Sequence, residues 1–187
     1  TLHNTLFPYT TLFRSVEFER LLAPSGPGAG ELKRPSDGQR PRKVVFVQCA
    51  GSRDENHLPY CSAVCCSASL KHALSMQEKY PDTEIIIFYI DLRVTGRNED
   101  FLMRVQNNPK ITLIKGKAGC IEEDPSTLKL RVEAEDIMAG RKISAEADLV
   151  VLATGIVPQK PGIELTIGEE GFVSQIQEKG IIPIACC

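Results

Sequence analysis

The sequence predicts an α/β fold in which a parallel sheet carries an antiparallel meander. Three observations lead there. Four short apolar runs, VVFV, IIIFYI, ITLI and LVVL, lack polar alternation and so read as strands buried on both faces. Stretches of helical character separate the first three runs. Between the third and fourth, the pattern changes to strict alternation broken by turn signals.

Residues 44–48 (VVFVQ) form the first expected strand. Pro59 and Tyr60 then open a helix running to about Tyr80, with Val64, Leu70, Ala73, Leu74 and Met76 on its apolar side and Pro81 at its end. Residues 84–91 (EIIIFYID) are the second buried strand. A short helix over 98–106 and a turn at Asn107-Asn108-Pro109 lead to the third strand, 111–115 (ITLIK). From 119 to 145 the segments CIEED, LKLRVEAED and RKISAEA, separated by Asp124-Pro125 and Ala139-Gly140, read as the meander. Residues 148–153 (DLVVLA) return as a buried strand, followed at once by Thr154-Gly155. There is no internal repeat.

Two other segments stand outside this order. Residues 5–15, TLFPYTTLFRS, read as an in-frame translation of a widely used short-read sequencing adapter, so residues 1–15 are set aside from functional reasoning. Residues 23–43 are rich in proline and glycine and read as a linker. The chain is expected to be a fragment, truncated at both ends.

Bulk properties exclude several function classes. With 42% apolar and 25% charged residues and a net charge of −2, there is no electrostatic case for nucleic acid or an anionic membrane. The longest apolar run, IIIFYI, is six residues, against about 20 needed to span a bilayer. No secretory signal is visible, and seven cysteines without one point to metal or redox chemistry in the cytoplasm rather than to a disulfide scaffold.

The strand order is that of a dinucleotide-binding domain of the two-domain flavoprotein kind. In such domains a GxGxxG turn follows the first strand and lets backbone approach a pyrophosphate. Here the position reads QCAGSR, so nicotinamide binding is not expected. Asp91 at the end of the second strand is expected to cap a turn rather than hold a ribose.

Four cysteines occupy this turn and the start of the helix: Cys49-x11-Cys61-x3-Cys65-Cys66. On a continuous helix Cys61 and Cys65 would stack on one face, with Cys66 about 100° round, giving three thiolates from the helix and a fourth from the loop. Four thiolates suit an iron–sulfur cubane or zinc. The helix N-terminus, Arg53 and Lys71 would stabilise an anionic cluster. Zinc sites usually show paired CxxC spacings and dithiol redox sites a CxxC, neither of which is present. Spacing therefore favours iron–sulfur, with zinc, thiol redox and no site left open. His57 reads as an exposed loop residue, Cys120 as a small core residue, and Cys186 and Cys187 stay unassigned.

The stretch CAGSRDENHLPYCSAVCC, with FERLLAPSGPGAGELKRPSDG, IIIFYIDLR, ITLIKGKAG and DLVVLATGIVP, resembles the heterodisulfide reductase A-subunit family and, within it, the A subunits of quinone-interacting membrane-bound oxidoreductases. The resemblance covers about residues 16–175. It implies a thioredoxin-reductase-like flavoprotein fold with FAD and a [4Fe–4S] cluster. Cys49, Cys61, Cys65 and Cys66 match the cluster ligands, and Thr154 and Gly155 match a turn near the FAD. It further implies an electron-transfer oxidoreductase subunit without an acid–base catalyst, serving sulfate respiration or heterodisulfide reduction. Its partners would be other subunits of a redox complex, placing it at the inner membrane periphery. On this reading, residues 16–43 are a linker and the remnant of an FAD domain. Residues 44–155 are a Rossmann-like domain carrying the cysteines, and 156–187 a partial return to the FAD domain. Two departures stand out: the N-terminal glycine-rich FAD motif is absent, and GIIPIACC replaces the expected glycine turn, so the fragment alone is not expected to hold FAD. The alternatives from other classes are a structural zinc-binding interaction module and a pyridine-nucleotide disulfide oxidoreductase domain.

Overall fold

The sheet begins with three residues from the adapter-like stretch. In the computed structural model, which describes residues 12–159, 166–169 and 171–174, Leu12–Arg14 is strand β1 and Ser15–Leu22 helix α1. Strand β2 (Lys43–Val47), helix α2 (Cys65–Lys79), strand β3 (Glu84–Tyr89), helix α3 (Glu99–Gln106) and strand β4 (Ile111–Lys115) follow. The meander comprises β5 (Ala118–Glu123), β6 (Leu130–Asp136) and β7 (Arg141–Ala147), and β8 is Leu149–Leu152. Residues 1–11 and the GIIPIACC segment with Cys186 and Cys187 lie outside the described residues.

The chain divides into two units, Thr1–Gly155 and Ile156–Cys187. In the second, Ile167 and Val173 form one antiparallel bridge around the turn that Gly168 and Phe172 close. The first unit holds a five-stranded sheet in the order β1-β8-β2-β3-β4, parallel throughout, and the antiparallel sheet β5-β6-β7.

The unbroken apolar runs are explained by what covers each face. Along β2, Val44 and Phe46 point into a core shared with Phe18, Leu70, Ala73 and Met76 of the helices. Val45 and Val47 point the other way, into a core with Leu130, Val132, Ala145 and Ala147 of the meander. Strand β8 divides likewise, Leu149 and Val151 towards the helices and Val150 towards the meander. The layers are therefore helices, parallel sheet and meander, and the alternation of the meander reflects its one exposed face.

The proline- and glycine-rich segment has no regular element, but it packs. Leu32 is buried and its N–H donates to the Tyr80 hydroxyl at 2.9 Å. Asp148 fixes where the central strands begin: its carboxylate accepts the N–H groups of Arg42 and Lys43 at 2.8 and 3.0 Å and Nη1 of Arg34 at 3.1 Å.

Helix α2 starts five residues later than the sequence suggests. Ala63 lies in the left-handed region (φ 58°), where an L-residue cannot continue a right-handed helix. The loop before it satisfies its own backbone: Arg53 N–H donates to Tyr60 O at 3.2 Å and Leu58 N–H to Gly51 O at 3.1 Å.

Helices α1 and α2 meet at an aromatic group. Phe18 stands edge-on to Phe46 and to His72, with ring centroids 5.6 and 5.4 Å apart. His72 Nε2 contacts the Glu19 carboxylate, which also accepts Lys71 Nζ at 2.6 Å. Burial holds His72 below its ordinary value of 6.5, against the opposing pull of Glu19. Hydrogen bonds from Lys71 and then His72 hold Glu19 below its ordinary 4.5. Both groups therefore take up protons more readily when unfolded. Their contribution to stability is present above the unfolded values and is lost as pH falls through the folded ones.

Two outcomes follow from this packing. Truncating Phe46 to alanine is expected to lower the unfolding free energy by about 3–5 kcal/mol, measured by urea denaturation. Stability is expected to decline as pH falls through and below about 6.5, the ordinary histidine value, because the unfolded chain then takes up a proton that buried His72 resists. His72→Phe should flatten that part of the profile, and an unchanged slope in the variant would argue against His72 as its source.

Candidate metal centre

The four motif cysteines lie at the carboxyl edge of the parallel sheet, where β2 ends and α2 begins. Cys49 and Cys66 are buried, Cys61 and Cys65 half-buried, and all four are free thiols. Cys65 and Cys66 are the first two residues of α2, while Cys61 is on the preceding loop. The expected stacking of Cys61 on Cys65 in one helical turn is thus replaced by a loop contribution, because of the left-handed Ala63.

One sulfur has an N–H donor at hydrogen-bond distance, and polar groups bear on the other three. Ala63 N–H donates to Cys61 Sγ at 3.4 Å. The backbone N–H of Gly155 favours the thiolate of Cys65, that of Arg93 the thiolate of Cys66, and the Arg53 side chain that of Cys49. Cys66 Sγ in turn lies 3.6 Å from the carbonyl oxygen of Asp91. Burial, first, pushes the thiols of Cys49, Cys65 and Cys66 upwards. The charges of the neighbouring cysteines push in the same direction, and the N–H donors oppose it. The four sulfurs therefore form one electrostatic group that a bound cation would stabilise as thiolates.

The backbone here is unusual. Cys49, Arg53 and Ala63 have φ of 55, 55 and 58°, and Gly51 and Gly155 have φ of 85 and 87°. Left-handed non-glycine residues cost about 1–2 kcal/mol each, and successive backbone N–H groups in such turns make concave sites for anions. At Gln48, next to Cys49, both polar atoms of the buried side-chain amide have no hydrogen-bond partner among the described residues. Ser69 Oγ, one turn into α2, is in the same position. Among the described residues, no three histidine, cysteine, aspartate or glutamate side chains are grouped as the ligands of one metal ion. In an iron–sulfur cluster, each thiolate binds its own iron, which asks for a wider ligand set.

Thr154 and Gly155 close the site from the β8 side. Ser52 Oγ donates to Thr154 O at 2.9 Å. A β-carbon on Gly155 would lie 2.4 Å from Ser52 Oγ and 2.9 Å from both Leu58 Cδ2 and Ser62 Oγ. The turn expected near a flavin thus packs on the cysteine loop.

The comparisons fit this geometry. No family model matches the chain. An iron–sulfur A subunit of a CoB–CoM heterodisulfide reductase from Methanopyrus kandleri is 45% identical over 81% of this chain and 23% of its own length. The corresponding protein of Methanocaldococcus jannaschii is 38% identical over 91% of this chain and 27% of its own. Over this segment, the chain is homologous to heterodisulfide reductase A subunits. A heterodisulfide reductase A-subunit-like protein of Archaeoglobus profundus is likewise 38% identical, over 88% of this chain and 27% of its own. The chain thus spans about a quarter of the length of these relatives. Among solved structures, L-lysine 6-monooxygenase from Pseudomonas syringae shares the fold, with a TM-score of 0.51 and 14% identity over 90% of this chain and 47% of that one.

Several sequence expectations change in this light. Lys71 does not reach the cysteines: it pairs with Glu19 on the α1 side. Asp91 pairs through its side chain with Arg53 at 2.9 Å rather than with a turn N–H. Cys120 is exposed rather than in the core, because the register of β5 shifts between Ala118 and Cys120. His57 is exposed, as expected, with Asp54 at 3.5 Å. Arg93 and the backbone of Gly155 are partners of the sulfurs that the sequence does not announce. Their role depends on loops far apart in the chain, although the basic residue just after the β3 strand is a usable hint.

Gly155→Ala is expected to lower stability by about 2 kcal/mol or more, since it combines the left-handed backbone with the clash on Ser52. Gly119→Ala, in open space, should have little effect on thermal unfolding. Equal midpoints for the two variants would show that the turn yields.

Proposed function

We propose that Cys49, Cys61, Cys65 and Cys66 hold a [4Fe–4S] cluster, and that this segment carries electrons in an oxidoreductase subunit of the heterodisulfide reductase type. The observation that carries this reading is the convergence of four free, electrostatically coupled cysteines at one sheet edge, with Ala63 N–H on Cys61 Sγ and polar groups of Arg53, Arg93 and Gly155 favouring the other three as thiolates. Such donors favour thiolate over thiol, and hydrogen bonds to sulfur tune iron–sulfur centres. When bound, the cluster supplies one-electron transfer. The chain's own residues orient the four ligands, bury Cys49 and Cys66 away from water, and set fixed charges around them.

A flavin belongs to the proposal for the whole protein. The described residues do not themselves form a flavin cradle: QCAGSR lacks the phosphate glycines, and the space at Gly155 is filled by Ser52, Leu58 and Ser62. An FAD that met Thr154 or Gly155 in the whole protein would stand next to the residue whose N–H favours the thiolate of Cys65. That closeness would suit the exchange of electron pairs for single electrons. The complex served is heterodisulfide reduction or the quinone-interacting branch of sulfate respiration. Its partners are other redox subunits, and its location is cytoplasmic at the membrane periphery. No helix among the described residues is long and apolar enough to cross a membrane.

Anaerobic reconstitution with iron and sulfide is expected to produce a broad absorbance near about 400 nm that bleaches on reduction. Serine at Cys65 or Cys66 should abolish it and serine at Cys120 should not. Uptake of one colourless zinc, with no bleachable band, would sink the proposal, and equal retention in all three variants would refute the ligand assignment.

A further inference from the structure

Arg53 is placed unusually for a surface-loop cation. Its backbone is left-handed (φ 55°), a conformation in which glycine would be less strained. Its N–H is tied to Tyr60 O at 3.2 Å. The side chain is half-buried and reaches the end of β3, where Nη1 donates to Asp91 Oδ2 at 2.9 Å. Cys66 Sγ lies 3.6 Å from the carbonyl oxygen of that same Asp91, and the guanidinium charge bears on Cys49 and Cys66. A guanidinium suits this position because it is planar, permanently charged and presents several donors in a fixed fork. The other nearby cations are differently engaged: Lys71 pairs with Glu19 and Lys117 with Asp54. Arg93 is exposed and acts on Cys66 through both its backbone N–H and its charge, but among the described residues no side-chain ion pair fixes its guanidinium as Asp91 fixes that of Arg53.

We propose that Arg53, clamped by Asp91, is a positioning residue that fixes a positive charge against the motif sulfurs and so raises the reduction potential of the group they hold. This rests on the cysteines holding an iron–sulfur cluster. Reduction adds one electron, and therefore one negative charge, to the site. A cation held at fixed distance stabilises the reduced form more than the oxidised one. Asp91 offsets part of that effect while it holds the guanidinium in place.

The test is a potentiometric titration with dithionite of the full 187-residue chain, reconstituted anaerobically with iron and sulfide and followed by absorbance and electron paramagnetic resonance. Arg53→Gln is expected to make reduction at least tenfold less favourable, a negative shift of about 59 mV for a one-electron couple. Arg53→Lys, which keeps the charge, should recover at least half of that shift. Asp91→Asn, whose amide oxygen can still accept from the guanidinium and hold it, should move the potential the opposite way, because it removes only the offsetting negative charge. A structural role alone would not give opposite signs for the two residues. An unshifted Arg53→Gln, or shifts of the same sign in Arg53→Gln and Asp91→Asn, would overturn the inference. If Arg53→Gln takes up no cluster, Asp91→Asn decides: a positive shift supports the assignment, and no shift or a negative one rejects it. Iron and sulfide content of the same samples separates the two levels. A wild-type chain without bound sulfide would defeat the proposed function and this inference together, whereas loaded samples with unmoved potentials would defeat the inference alone.

Discussion

The parallel pairing of β2 with β8 on one side and β3 on the other is the constraint on which the sulfur site depends. Parallel strands all finish at the same edge, so the segments that follow these three strands must be neighbours however far apart they are in sequence. The loop after β2 supplies Cys49, Arg53 and Cys61. The segment after β3 supplies Asp91 and the Arg93 N–H, and the turn after β8 supplies the Gly155 N–H. A different strand order would leave the same cysteines without the same donors. The ladder itself runs into the site, with Ala50 N–H on Ala153 O at 3.1 Å and Ala153 N–H on Val47 O at 2.9 Å.

The strain in the loop makes sense only against that framework. Cys49, Arg53 and Ala63 take left-handed backbone at about 1–2 kcal/mol each, although glycine would adopt it at little cost. Two of these positions carry a sulfur or a guanidinium that glycine could not provide. The offsetting stability comes from a sheet buried on both faces. Phe46 and Val44 are packed on the helix side, and Val45 and Val47 on the meander side. Such a rigid support can hold an unfavourable loop in one conformation.

Much of the fold was legible because burial on two faces and burial on one face leave different patterns. VVFV, IIIFY and LVVL stand within a residue or two of the observed β2, β3 and β8, and the alternation of residues 130–136 marked β6. The helix start was not legible, since nothing in SAVCC signals that Ala63 turns left-handed. Cys120 misled for a related reason: alternation assumes an unbroken register, and the irregularity between Ala118 and Cys120 breaks it. At the site, the side chains that could act were visible as residue types, and Arg53 was among them. The backbone donors were not, because every non-proline residue has an N–H and only tertiary structure decides which sulfur it meets. Lys71 shows the converse. It stands five residues after Cys66 in sequence, but the helix turns it towards Glu19.

Helix α2 links the stability of the fold to the geometry of the sulfurs. Its first turn carries Cys65 and Cys66, and no acidic residue there competes for the positive end of the helix. Its middle buries His72, Ala73 and Met76 against β2 and α1. The Glu19–His72 contact and the Phe18–Phe46–His72 rings therefore fix where the helix lies, and with it where two of the four sulfurs stand. A change that loosens this packing would disturb the ligand set without touching a cysteine. Conversely, a metal bound only by the folded arrangement would add its binding free energy to the stability of the same helix. Core and site are thus two ends of one rigid element, and the direction of influence runs both ways.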